Sequence, residues 1–312
     1  MKLISLCIPC FNESENIPLF VQEIEKIKAV MLNVEIELIF VDDGSKDTTR
    51  KVLREFAAKD SCIKYISFSR NFGKEAAILA GLRASKGDFV AVIDADLQHP
   101  PGLLIPMYEA LKDTDIDCAA MRRVDRQGEP KLRSFFSRKF YRLINKISDI
   151  TFIEGATDYR LMTRTMVDAI LSLPEYNRFS KGLFSWVGFE TVWINAENVP
   201  RIHGESKWSF WSLVSYSFDG IVGFSSKPLM IASVMGFLFY IFAILGMIFI
   251  IVRWLLFGDP VAGWASTICI ILFAGGTQLL TTGILGQYLA KTYLETKNRP
   301  VYIIKEKSIN QN

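Results

Sequence analysis

Phe89-Val-Ala-Val-Ile93, followed by Asp94-Ala-Asp96-Leu-Gln98-His-Pro-Pro101, is the stretch on which the reading of the whole chain turns. An unbroken apolar run of this length, bounded by turn-forming residues, is the pattern of a strand buried on both faces in a parallel sheet. Two carboxylates two residues apart, at the point where such a strand ends, can share a hard divalent cation. Mg²⁺ or Mn²⁺ takes a few carboxylates and completes its shell with substrate phosphate oxygens. Asp-x-Asp by itself is common in loops; the buried strand before it and Gln98-His99-Pro100-Pro101 behind it give it weight.

Working back toward the N-terminus, the same alternation repeats. Leu3–Ile8 is an apolar run that Pro9 is expected to end. Ser14 and Asn16 open an amphipathic stretch with Ile17, Phe20, Val21, Ile24 and Ile27 on one stripe. Val34–Val41 is a second strand, a helix carrying Val52, Leu53 and Phe56 follows, Ile63–Phe68 is a third strand, and Ala76–Leu82 is helical. Strands alternating with helices at this spacing imply an α/β fold with a mainly parallel central sheet and helices on both faces. In such sheets ligands bind beyond the carboxyl ends of the strands. Those ends are Pro9–Glu13, Asp42–Ser45, Arg70–Lys74 and Asp94–Gln98, so the unusual polar residues of the first hundred all fall at one edge. Neither Gly-x-x-x-x-Gly-Lys-Ser/Thr nor Gly-x-Gly-x-x-Gly follows the first strand, which disfavours a P-loop ATPase or a dinucleotide-binding dehydrogenase.

Working forward, the chain changes material. The 22% charged composition of the 312 residues is ordinary for a globular protein, but Leu229–Ala290 contains only two formal charges, Arg253 and Asp259. Leu229–Val252 and Trp264–Ala290 are uncharged and would measure about 36 and 40 Å as helices, longer than the ~30 Å hydrocarbon core of a bilayer. Neither has a polar face, so a two-helix membrane hairpin is expected, turning at Arg253–Pro260. Lys227 on one flank and Lys291, Lys297, Arg299, Lys305 and Lys307 on the other outnumber Arg253 in the turn, which places both termini in the cytoplasm. Met1–Ser5 enters the first strand with no signal-peptide apolar region, in keeping with that orientation. Lys131–Lys146 and Lys207–Phe224 mix basic, polar and aromatic residues as interfacial helices do.

The expected organisation is therefore a globular domain over 1–200, an interfacial segment over 201–228, a hairpin over 229–290 and a tail over 291–312. A single soluble domain, a disordered chain and a transporter with a charge-lined path are excluded. The net charge of +3 does not point to nucleic acid. The five cysteines lack paired spacing, and Cys7-x-x-Cys10 has no second Cys pair or His cluster to complete a metal site.

Pro9-Cys-Phe-Asn-Glu13, Val41-Asp-Asp-Gly-Ser-Lys-Asp-Thr-Thr49, Arg70-Asn-Phe-Gly-Lys74 and Asp94–Pro101 together resemble the nucleotide-sugar-binding signature of family 2 glycosyltransferases with the GT-A fold. Thr157–Met162, Arg201–Phe210 and the two apolar stretches make the whole chain similar to the bactoprenol (undecaprenyl-phosphate) glucosyltransferases of the dolichol-phosphate mannose synthase-like group. The resemblance implies that Pro9, Asn12 and Glu13 shape the nucleotide pocket, that Asp43 receives the base, and that Lys74 belongs to the nucleotide-sugar site. Asp94 and Asp96 would hold the cation, with Gln98 as a further ligand, and Asp158 would lie near the reacting sugar. Arg123, Arg126, Lys131 and Arg133 would fall in a phosphate-binding loop, although which of the cations between 122 and 133 match the family positions is ambiguous. Arg201, Ser206 and Lys207 would grip phosphate. The partners implied are a nucleotide sugar, UDP-glucose foremost, with GDP-mannose or a UDP-aminosugar as the alternative donor; undecaprenyl phosphate in the cytoplasmic membrane; and a downstream flippase and second glycosyltransferase. Gly275, Gly276, Gly283 and Gly286, with the extended Pro300–Ile304 tail, could join subunits.

Overall fold

The computed structural model describes residues 1–112, 114–123, 145, 153–197, 222–223, 225–257 and 263–308. Eight strands form one sheet in the order β7-β5-β6-β4-β1-β2-β3-β8. The parallel centre is β1 (Lys2–Cys10), β2 (Val34–Asp42), β3 (Ile63–Phe68) and β4 (Phe89–Val92), alternating with α1 (Asn16–Val30), α2 (Thr49–Lys59) and α3 (Lys74–Ala84). A 3₁₀ turn (Pro101–Leu103) and α4 (Leu104–Leu111) lead to β5 (Cys118–Arg123). Then β6 (Ala156–Thr163) runs antiparallel between β4 and β5, followed by α5 (Arg164–Leu171), α6 (Ser180–Trp186) and β7 (Thr191–Ala196), which is parallel to β5. The sheet is therefore mixed but mainly parallel, as expected.

The stripe Ile17, Phe20, Val21, Ile24 and Ile27 is buried against the sheet, so the helical period was sufficient to place α1. Pro9 does not end β1, which continues to Cys10. The reason is positional. The Cys7 carbonyl accepts from Ile93 N on the β4 side, so the backbone of Pro9, two residues on, faces that same side beyond the last β4 partner. Its missing N–H therefore removes no ladder bond. Cys7 and Cys10, both buried, pack into clusters on opposite faces of the sheet. Helix α3 lies so close to β1 that a Cβ on Gly81 would come within 2.9 Å of the Cys7 Cβ. This approach aims the first turn of α3 at the carboxyl edge of the sheet.

After α6 and β7 the described chain continues in two long helices, α7 (Lys227–Phe257) and α8 (Trp264–Thr296). Helix α8 contains the expected second span, Trp264–Ala290, as one unbroken helix, but among the described residues only Lys227–Gly246 of α7 is long and apolar enough to cross a membrane. The rings of Phe239 and Phe273 meet at 4.9 Å between the two helices, whereas Phe237, Phe242 and Leu279 are exposed. The expected turn at Arg253–Pro260 is helical as far as Phe257, where the apolar run Trp254–Phe257 continues α7; residues 258–262 and nearly all of both basic-aromatic stretches lie outside the described residues. The chain past α8 returns to the sheet. There β8 (Ile304–Lys307) pairs antiparallel with β3, and Tyr302 stacks on Phe68 with centroids 4.9 Å apart. Glu306 accepts from Arg54 Nε at 2.6 Å and from the Tyr65 hydroxyl. At the other end, the carboxylate of Glu295 on α8 accepts the backbone amides of Tyr176 and Asn177, both at 2.9 Å.

The hydrogen bonds from Arg54 and Tyr65 hold the Glu306 carboxyl down to about 2. A depressed acid stabilises the fold above its unfolded value, near ~4.3, and loses that contribution as pH falls through the folded value. The Tm difference between the parent and Glu306→Gln is therefore expected to be present at pH 6 and to shrink toward zero between about pH 4.3 and 2; a difference that does not change with pH would contradict the strap.

Candidate active site

The edge predicted from the loop ends exists, and buried carboxylates hold its loops. Asp42 Oδ1 accepts from Ser45 N at 2.8 Å, and its other oxygen accepts from the Ser67 hydroxyl. Asp43, 4% exposed, takes the backbone amides of Phe72 and Gly73 on its two oxygens at 2.6 and 2.9 Å, fixing the loop before α3. Burial raises the Asp43 pKa against the effect of those amides. Gly44, at φ 68°, lies against the Arg70 backbone so closely that a Cβ would sit 2.4 Å from the Arg70 carbonyl carbon. Asn12 (φ 57°) receives Lys46 N on its side-chain oxygen and donates its own backbone N–H to Ser45 Oγ, both at 2.9 Å. Glu13 N donates to Thr49 Oγ1 at 2.9 Å, and Pro9 is buried in β1 beneath these loops.

The Asp94–Gln98 loop turns on Leu97, a non-glycine residue at φ 59°. Such a backbone is sparsely populated and persists where surrounding structure enforces it, often at functional sites. Here Leu97 is 7% exposed and packed in the core, and Gln98 N donates to Asp96 Oδ1 at 3.1 Å. Asp96 is itself 6% exposed, while Asp94 is more open.

Lys74 joins the two halves of the sheet. Strand β6 pairs with β4 at Val92↔Arg160, and two steps further along that register Asp94 stands opposite Asp158. Lys74 Nζ, at the start of α3, lies 2.7 Å from Asp94 Oδ1 and 2.7 Å from Asp158 Oδ2. Burial works to raise the Asp158 pKa, but Lys74, then Lys181 and Arg160, outweigh it and hold the carboxyl well below the usual range. Burial likewise works to lower the Lys74 pKa, and the two carboxylates drive it well above the ordinary lysine value. Asp158 and Lys74 are therefore both charged across the neutral range. Among the described residues no cluster of three or more His, Cys, Asp or Glu side chains could hold a metal ion.

Arg123, at the end of β5, is exposed and its Nη2 lies 3.3 Å from His99 Nε2. Arg126, Lys131, Arg133, Arg201, Ser206 and Lys207 lie outside the described residues. Three contributors escaped the sequence reading. His99 is in a loop as expected, yet it is 4% exposed, its Nδ1 has no hydrogen-bond partner among the described residues, and burial lowers its pKa so that the ring is neutral. Glu75 accepts from the Ser180 backbone N–H at 2.9 Å and anchors α6. Arg160 is 4% exposed. The signal for Arg160 was available: in a strand, residues two apart share a face, so Asp158 implies a role for Arg160.

An α/β sheet with acidic loops at its carboxyl edge, tied across by a lysine, is the setting in which the likeness to known proteins is read. The model of Glycosyl transferase family 2 matches residues 5–171, and the chain belongs to that family. It is a glycosyltransferase. The chain is 43% identical to the putative glycosyltransferase CsbB of Bacillus subtilis (strain 168), over 98% of this chain and 92% of the relative. It is 40% identical to the bactoprenol glucosyl transferase of Shigella phage SfX, over 97% and 99%. Mannosyl-3-phosphoglycerate synthase from Rubrobacter xylanophilus shares the fold at 19% identity, with a TM-score of 0.50 covering 70% of this chain and 71% of that one.

Lys74→Met leaves two facing carboxylates without their shared cation, and transfer is expected to fall by about a hundredfold, the scale of a 1 Å misplacement of reacting groups, in a turnover assay at unchanged secondary structure. Gly44→Ala is expected to destabilise the chain by about 1–3 kcal/mol in chemical denaturation, since both the φ and the Arg70 backbone oppose a side chain there.

Proposed function

We propose that the protein transfers a hexose, glucose from UDP-glucose, to undecaprenyl phosphate at the cytoplasmic face of the membrane. The observation that carries this reading is the Lys74-linked pair of Asp94 and Asp158 at the carboxyl edge of the sheet. The near full-length likeness to a bactoprenol glucosyl transferase supports it. GDP-mannose or a UDP-aminosugar is the alternative donor.

The donor diphosphate lies at Asp94–Gln98, and its base and ribose lie among Pro9, Asn12, Glu13 and Asp43. Hard carboxylate oxygens on Asp94 and Asp96, with the Gln98 amide beside them, fit Mg²⁺ or Mn²⁺ held by few protein ligands and otherwise by phosphate oxygens. Such a cation neutralises charge on the diphosphate leaving group. The acceptor is already an anion, so little proton removal is needed. An oxygen of the lipid phosphate forms the new bond to the anomeric carbon. The bond from that carbon to the nucleoside diphosphate breaks, the electron pair leaves with the diphosphate, and the configuration inverts. Asp158 stays ionised, so it stabilises positive charge developing on the sugar or orients a hydroxyl. Lys74 fixes its distance from Asp94. Arg123, Arg126, Lys131, Arg133, Arg201, Ser206 and Lys207 are assigned to phosphate contact, for which arginine is well suited. Helices α7 and α8 form a two-span hairpin over 229–290 that holds this edge where the lipid lies. The lipid-linked product would require a separate flippase and a second transferase, because two spans offer no path for a sugar.

Asp94→Asn is expected to lower transfer by about 10²–10³-fold, the scale of removing one preorganised electrostatic contact, with the fold retained by circular dichroism. Purified protein, undecaprenyl phosphate and a panel of labelled nucleotide sugars, scored for organic-soluble product, test the reading directly. Labelling from UDP-glucose supports it, and no label from any donor overturns it.

A further inference from the structure

On the face of β6 that carries Asp158, a cavity of about 200 Å³ opens between β6, α6 and β7. Its wall holds two cations, Arg160 and Lys181, and three aromatic rings, Phe184, Phe189 and Trp193. The Arg160 guanidinium is 4% exposed and sits 3.9 Å over the Phe184 ring. Nη2 donates to the Thr157 carbonyl at 2.9 Å, but the buried Nε has no hydrogen-bond partner among the described residues. A buried guanidinium N–H left without an acceptor carries a desolvation penalty unless a ligand supplies one. Neither Arg160 nor Lys181 forms an ion pair with a carboxylate among the described residues. The cavity therefore sets two cations, which act on the Asp158 carboxylate without a direct ion pair, beside apolar rings.

The position is as informative as the lining. Arg160 follows Asp158 by two residues on one strand, so the two Cα atoms are roughly 6–7 Å apart on the same face. Glu75, adjacent to Lys74 on α3, anchors the first residue of α6 through Ser180, and Lys181 and Phe184 are carried on that helix. One helical turn thus sets both the carboxylate pair and the cavity wall.

We propose that this cavity is a binding subsite for a phosphate monoester borne on an apolar chain, with Arg160 and Lys181 taking the phosphate and Phe184, Phe189 and Trp193 taking the first carbons of the chain. Nothing smaller explains both linings. A sugar hydroxyl would not answer two cations, and a free phosphate would not answer three rings. This deepens the glycosyl-transfer reading by assigning the acceptor's head group to a place, next to Asp158 and opposite the diphosphate edge.

The experiment has two arms, both on the full chain in detergent. In the first, Trp193 fluorescence is titrated with geranyl phosphate, with geraniol and with inorganic phosphate, and Trp193→Phe serves as the blank. Saturable quenching by geranyl phosphate at concentrations at least tenfold below either of the others is expected. Equal or absent responses overturn the subsite. In the second, Arg160→Met, Arg160→Lys and Lys181→Met are assayed for transfer. For Lys181→Met the KM for undecaprenyl phosphate is expected to rise at least tenfold with the KM for the sugar donor unchanged, and Arg160→Lys is expected to recover part of what Arg160→Met loses. If Arg160→Met does not fold, Lys181→Met decides the matter, and an unchanged acceptor KM there refutes the subsite. Geranyl phosphate binding in a protein that labels no lipid would sink the glycosyl-transfer reading and leave the subsite standing. Transfer with unchanged acceptor KM in all the variants would do the reverse.

Discussion

The ammonium of Lys74 is the contact around which the site is organised. Strand β6 enters the sheet antiparallel to β4 and brings Asp158 opposite Asp94. Two carboxylates meeting at a strand end repel one another, and one of them would have to take a proton to stay there. The lysine offsets that repulsion and holds the Asp158 carboxyl well below its usual range, and the close packing of Gly81 on Cys7 brings α3 to this point. A feature of core packing about two turns away along α3 thereby bears on the charge of Asp158.

The parallel half of the fold was legible from the residues. Hydrophobic period placed α1 with its buried stripe intact, and the strand ends alone collect the polar loops on one edge. The second half was not. Strands β5, β6 and β7 are six to eight residues long, and their pairing is non-local. Cys118-Ala-Ala-Met121 and Thr191–Ala196 carry no turn signal or alternation strong enough to distinguish a strand from a buried helix segment. Pro9 misled for a related reason. Whether a proline ends a strand depends on which neighbour its missing N–H would have faced, and that is a property of β4, eighty residues later.

The same limit applied to the site. Asp94 and Asp96 could be singled out because a carboxylate pair after a buried strand is conspicuous in a line of sequence, whereas Asp158 was reached only through the family resemblance. Glu75 and Arg160 look like ordinary helix and strand charges until burial is known. At 4% exposure, Arg160 is held directly by a ring and a carbonyl, with no ion pair among the described residues, and only the packing of α6 reveals this. His99 became significant in the same way, through the loss of solvent around a residue that sequence alone leaves in a loop.

The tail after α8 deserves a mechanical reading. The long helix is fastened at one point by Glu295 to the amides before α6, and its continuation is fastened at another by β8 to the far edge of the sheet, beyond β3. A body held at one point can swivel in any direction; one held at two well-separated points can turn only about the line that joins them. The motion of the long helix relative to the carboxyl edge of the sheet is thereby restricted to that one axis. A surface that oriented α7 and α8 would therefore also narrow the angles at which the carboxyl edge of the sheet could meet a molecule lying on that surface.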